Sequence, residues 1–141
     1  MRGKKITTTK IIKYFCEMIV SENRIDRAPE FISPECCVRI GDNLIFIGVE
    51  GMLEHINATK HTYPDYTMKI TKQFCDEDYV ISEFIMEGTH EGEWVGIKPS
   101  HKKLTFTDVD INKVVNGKIV EYSGSVNIFE TLFEQNLIKP V

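Results

Sequence analysis

No run of apolar residues in this 141-residue chain approaches the roughly 18 that would span a bilayer, so a membrane-crossing helix is not expected. An excess of positive charge is also missing. Seventeen basic against twenty-one acidic residues give a net charge of −4 spread along the chain, whereas nucleic-acid binding requires a basic patch that displaces counterions. Cysteine is sparse: four residues, at 16, 36, 37 and 75, two of them adjacent. That is a poor disulfide framework, and an adjacent pair lacks the spacing that lets both sulfurs reach one tetrahedral ion. The expectation is reduced thiols in the cytoplasm, with no metal. The basic start, Met1-Arg-Gly-Lys-Lys5, leads into Thr7-Thr8-Thr9 and an amphipathic stretch rather than an apolar core with a cleavage site, so no signal peptide is expected.

What is present reads as one domain over residues 1–141, long enough to bury a core unaided. Thr7 to Thr9 offer N-cap hydroxyls, and Ile11, Ile12, Phe15 and Ile19 follow at helical spacing up to about Ser21. A short second helix is expected from about Arg24 to Phe31, stopping before Pro34. A β-rich stretch from Cys36 to Ile47 is broken at Gly41-Asp42-Asn43. Val49, Met52, Leu53 and Ile56 then form the stripe of a third helix, closed by Pro64-Asp65. From Tyr66 the apolar period becomes two. Strands are expected through Met68 and Ile70, then over 79–89, 102–115 and 118–127, with an amphipathic ending from Ile128 to Leu137. Helices followed by consecutive strands indicate an α+β fold with helices on one face of the sheet.

Asn116-Gly117 between two β-rich runs is a strong hairpin signal, because a type I′ turn needs positive φ at both central residues. With a two-residue loop and no bulge, Asp110 opposes Ser123, Asp108 opposes Ser125 and Phe106 opposes Asn127, and opposed residues share a face. One face then carries Phe106, Asp108, Asp110, Asn112, Glu121, Ser123, Ser125 and Asn127. The other carries Val109, Ile111, Val120, Tyr122 and Val126. By residue type alone the first face belongs in water and the second in a core.

Several phrases, taken together, resemble the SnoaL-like polyketide cyclase family of the nuclear-transport-factor-two-like fold: Gly88-Thr-His-Glu-Gly-Glu-Trp-Val-Gly-Ile-Lys-Pro99, Leu104-Thr-Phe-Thr-Asp-Val-Asp-Ile111 and Asn116-Gly-Lys-Ile-Val-Glu121. Lys13-Tyr14-Phe15, Gly48-Val-Glu-Gly51 and Tyr63-Pro64-Asp65 fit the same pattern upstream. The resemblance implies a cone of curved, mainly antiparallel mixed sheet wrapped over about three helices. It also implies a pocket for a small hydrophobic molecule, a homodimer through the sheet, and no cofactor. The hairpin face that bears the aspartates would turn toward the pocket and the opposite face into the dimer.

Family members that close rings by aldol condensation use an aspartate at the end of the last strand, where this chain has Asn127. An amide cannot shuttle a proton, although it can donate a hydrogen bond to a developing oxyanion. Asp108 and Asp110 are the replacement candidates for acid/base work, since repulsion between two carboxylates raises one of them. Asn127 would serve as donor, and His90 as a titrating group at the pocket mouth or an exposed loop histidine. Phe15, Trp94, Phe106 and Ser123 are the candidate substrate-binding residues, while His55, His61 and His101 read as surface. The functional expectation is a cyclase, isomerase or hydrolase that needs no cofactor. The alternative is a ligand-binding protein without chemistry.

Overall fold

The change of apolar period near Tyr66 is where the architecture divides, with most helical residues before it and most of the sheet after it. The computed structural model describes residues 2–139, with side chains from Thr7 onward. Helix α1 covers Arg2–Tyr14, so Thr7 to Thr9 lie inside it and do not cap its start. Thr8 is buried instead, with its hydroxyl 3.4 Å from Cys75 Sγ. From Phe15–Val20 the helix widens into a π turn, in which Ser21 N–H donates to Cys16 O and Arg24 N–H to Ile19 O. This segment buries Phe15, Cys16, Ile19 and Val20. Such π segments recur at functional sites. A 3-10 helix over Ile25–Phe31 hands the chain to the sheet.

Strands β1 (Ile32–Ile40) and β2 (Asn43–Phe46) form the first hairpin. Helix α2 (Gly48–Thr62) follows, with Met52 and Ile56 of the expected stripe buried. Strands β3 (Thr67–Asp76), β4 (Tyr79–Thr89), β5 (Lys103–Val115) and β6 (Lys118–Asn127) come next, and α3 (Phe129–Glu134) ends the fold. The six strands form a curved, unclosed sheet in the order β2-β1-β6-β5-β4-β3. Only the β1–β6 contact is parallel. Register shifts interrupt three of the pairings, and bulges of this kind bend and twist a strand. Among the described residues, no helix is long and apolar enough to cross a membrane.

Burial alternates residue by residue along β4 and β5. The concave side receives Val80, Phe84 and Met86 from β4 and Leu104, Phe106 and Val114 from β5. These pack with Ile12, Phe15 and Ile19 of the first helical segment into one core.

Candidate active site

The Asn116-Gly117 turn forms as expected, with φ of 51° and 77°. The register beyond it does not. Val114 pairs with Ile119 but Lys113 pairs with Glu121, so Val120 is an extra residue and everything after it is displaced by one. Asp110 therefore opposes Gly124, and Asp108 opposes Val126. A shift of one residue moves side chains to the other face. Ser123, Ser125 and Asn127 pair with Ile111, Val109 and Thr107 on the convex side, and Asn127 is exposed. Glu121 also turns that way and accepts a hydrogen bond from Arg39 Nε at 2.6 Å. Tyr122, Gly124 and Val126 take the concave positions.

Asp108 and Asp110 keep the face that the family resemblance implied. They are only 7% and 6% exposed, whereas Val109 and Ile111 are each 41% exposed. Both carboxyls line a cavity of about 350 Å³ between helices and sheet, within the usual size range of small-molecule sites. Ile12, Phe15, Cys16 and Val20 form its helical wall, Met52, His55 and Ile56 come from α2, and Phe106 and Tyr122 from the sheet. Trp94 closes one side from a tight turn in which its N–H and that of Ile97 donate to each other's carbonyls. Phe15, Trp94 and Phe106 thus line the cavity, while Ser123 and Asn127 do not.

Asp108 and Asp110 stand two residues apart on one face of β5, where their carboxyls act on each other. Burial raises both carboxyls, and for Asp110 the charge of Asp108 adds to it, lifting it well above the ordinary range. In Asp108 the rise is opposed by the hydrogen bonds from Asp110 and from the backbone of Val109 and Ser125. The pair therefore keeps a proton to higher pH than an ordinary carboxyl, and Asp110, raised further than Asp108, is the member that holds it more tightly. Each still has its Oδ1 buried without a hydrogen-bond partner among the described residues. The surroundings favour neutral groups: burial, then the aspartates, push the Tyr122 phenol up, and burial does the same to the Cys16 thiol. Cys16 is accordingly a thiol and not a nucleophilic thiolate.

His90 is neither exposed nor at the cavity wall. It is 1% exposed, and its Nδ1 accepts from the Ser100 N–H at 3.2 Å with the Ser100 hydroxyl 3.1 Å away. Tyr63, whose ring centroid is 5.9 Å from that of the imidazole, lines the cavity in its place. His90 holds together the base of the segment that carries Trp94, since its own N–H and C=O pair with Lys102 and His101. His61 and His101 are exposed. His55 reaches solvent too, but it also lines the cavity. Its Nε2 is 3.3 Å from Tyr122 Oη and the two rings are 5.5 Å apart.

Tyr122 and His55 are the site residues that the sequence reading missed. One signal was available for Tyr122: a glycine inside a strand, here Gly124, marks a bulge or a close approach by another group. A side chain at 124 would collide with Asp110 Oδ1 and come within 2.9 Å of Tyr122 Oη.

The SnoaL-like polyketide cyclase family model matches residues 10–133. No curated protein matches the chain in sequence. Among solved structures, AclR from Streptomyces galilaeus, a proposed hydroxylase, is 19% identical with a TM-score of 0.75, covering 99% of both chains. A proposed polyketide cyclase from Acidithiobacillus ferrooxidans is 17% identical with a TM-score of 0.80, over 92% of this chain and 93% of that one. IdmH from Streptomyces antibioticus, also a proposed polyketide cyclase, is 19% identical with a TM-score of 0.77, over 92% and 98%. At these identities the likeness is one of fold.

Proposed function

Because the chain belongs to the SnoaL-like polyketide cyclase family, we propose that it binds a small, mostly apolar molecule bearing a ketone or ester and acts on it by acid/base chemistry. One observation carries this reading: two neighbouring carboxyls, both raised by burial, face a mostly apolar cavity. Ionised Asp108 can take a proton from a carbon next to a carbonyl, and protonated Asp110 can return one to oxygen, the pairing that an intramolecular ring closure or an isomerisation needs. Neither step calls on Asn127. No group of three or more metal-ligating side chains is assembled among the described residues, and the proposed chemistry uses side chains alone.

The convex face supports a homodimer. Ile81 pairs with Ile111, and Ile85 and Val109 lie beside them, all more than a third exposed on one side of the central strands. Contiguous exposed apolar surface of this kind marks an interaction site, and a second copy of the same sheet is the simplest complement. The four free cysteines suit a reducing compartment such as the cytoplasm.

The test uses 2-tetralone, a bicyclic ketone small enough for the cavity. Thermal stabilisation reports binding, and loss of its α-proton NMR signal in D2O reports proton abstraction from carbon. The expected result is both stabilisation and accelerated exchange, with the exchange lost in Asp108→Asn. Stabilisation without exchange would instead favour the ligand-binding protein without chemistry. Absence of both effects would overturn the reading.

A further inference from the structure

A buried carboxyl pair supplies a base and an acid, but enolate formation also needs hydrogen-bond donors at the oxygen where charge collects. Asn127, the donor expected from the sequence, lies on the wrong side of the sheet. The concave side offers another. Asp110 and Gly124 are cross-strand neighbours, and because residue 124 has no side chain, the Asp110 carboxyl and the Tyr122 phenol converge over its Cα. They do not bond to each other: Asp110 Oδ1 has no partner among the described residues, and the recorded contact of Tyr122 Oη is His55 Nε2 at 3.3 Å. Two polar groups that converge without pairing, one on an almost completely buried carboxyl, leave a place beside the carboxyl for a ligand oxygen that accepts from the phenol.

We propose that Tyr122 donates its hydroxyl hydrogen to the substrate's carbonyl oxygen over Gly124, beside Asp110, and that His55 is the positioning residue that holds Tyr122 there. The assignment rests on the acid/base reading above and adds the substrate's orientation to it. His55 Nε2–H donates to the Tyr122 oxygen, which directs the phenolic hydrogen into the cavity. Asp108 takes the proton from the carbon next to the carbonyl. The C–H electron pair becomes the new carbon–carbon π bond, and the carbonyl π pair moves onto oxygen, which accepts from Tyr122. Asp110 then gives its proton to the same oxygen, which leaves the enol, a protonated Asp108 and an ionised Asp110. Burial keeps the phenol neutral, as a donor must be, and partial covering of His55 lowers its pKa and favours neutral imidazole.

The same residues define where the substrate continues. His55, Tyr122, Gly124 and Met52 also line a second hollow of about 370 Å³, bounded by Val38, Ile40 and Ile47. A ketone or ester oxygen held over Gly124 therefore sits at the junction of the two spaces. The apolar part with the acidic carbon lies inward against Asp108, and the substituent beyond the carbonyl lies outward toward β1.

Exchange of 2-tetralone α-protons is again the assay, with binding of 2-naphthol, which mimics its enol, as a readout free of turnover. Tyr122→Phe is expected to slow exchange by about 10²-fold and to weaken 2-naphthol by about 3–10-fold. His55→Leu should slow exchange, and His55→Gln, which keeps an N–H at that place, should recover most of the loss. Melting curves establish that each variant is folded. Wild-type protein that fails to exchange the ketone sinks the acid/base reading itself. Exchange by Tyr122→Phe at the wild-type rate, with Asp108→Asn inactive, overturns the Tyr122 assignment alone. His55→Gln no better than His55→Leu overturns the positioning role.

Discussion

The two faces of the β5–β6 hairpin invert the usual order of inside and outside. On β5 the inward residues include Asp108, Asp110 and Asn112, and the outward ones Val109 and Ile111. A strand that buried its valines and wetted its aspartates would cost less in isolation, since an unpaired buried charge costs far more than a wet isoleucine. The arrangement is tolerable because burial raises both carboxyls toward their neutral form and, on the proposed reading, because a second copy covers the apolar face. On the reading proposed above, both faces of this sheet serve binding, one by holding a ligand and the other by pairing with a second copy.

The sharpest way to break the concave side is at Gly124. Gly124→Ala introduces a Cβ that collides with Asp110 Oδ1 and crowds Tyr122 Oη, so the carboxyl and the phenol must move. The expected cost is about 1–3 kcal/mol of stability, read as a shift in denaturation midpoint, together with loss of 2-naphthol binding. Wild-type stability and binding would show that the two groups do not meet there.

A smaller effect follows from the shared proton. Asp110 is raised by burial and by Asp108, so the folded chain holds a proton at pH values where the unfolded chain has released it. Its contribution is fully present below the ordinary carboxylate range and is lost as pH rises through the raised one. Asp110→Asn cannot ionise. It should melt a few degrees above wild type at about pH 8 and much closer to it at about pH 4, as followed by circular dichroism across the pH series. Parallel curves for the two proteins would mean that no proton is held. On the convex side, Ile111→Lys should turn dimer into monomer by sedimentation while leaving the fold's stability within about 0.5 kcal/mol.

The sequence reading placed β4, β6 and the Asn116-Gly117 turn where they are, because two-residue periodicity and turn chemistry are local properties. It also identified the Asp108–Asp110 face, although residue type alone argued the reverse and only the family phrases turned it inward. The bulge at Val120 was not legible. Ile119-Val120-Glu121 looks like any strand, and nothing in it says that one residue will be skipped. That single skip exchanged Ser123 and Asn127 for Tyr122 and Gly124, so half of the hairpin's contribution to the site was misread from a correct turn. Thr7 to Thr9 failed for a different reason: helix-capping residue types also occur inside helices, and here Thr8 packs against β3. His90 failed because burial at the base of a loop depends on partners, Lys102 and Ser100, that lie ten and more residues away.

The smallest effect sharpens the comparison by setting one acidic residue against another. Glu121, sent to the convex side by the bulge, meets Arg39 Nε at 2.6 Å with the guanidinium side chain 37% exposed and its own 11%. Asp110, on the other face of the same hairpin, has no ion pair with a cation among the described residues, and burial and Asp108 raise it instead. The difference is one of partner rather than of solvent, since both residues are buried: Glu121 has a guanidinium in contact with it, and Asp110 has a second carboxyl. Because the Arg39 end of the pair is open to solvent, Arg39→Ala should lower stability only modestly, and the loss should shrink as salt is added. The Asp110→Asn difference, arising inside the protein, should change little over the same salt range. Chemical denaturation by urea of the two variants at low and high salt separates the cases, and equal salt dependence would mean that the cavity carboxyls are as wet as the convex face.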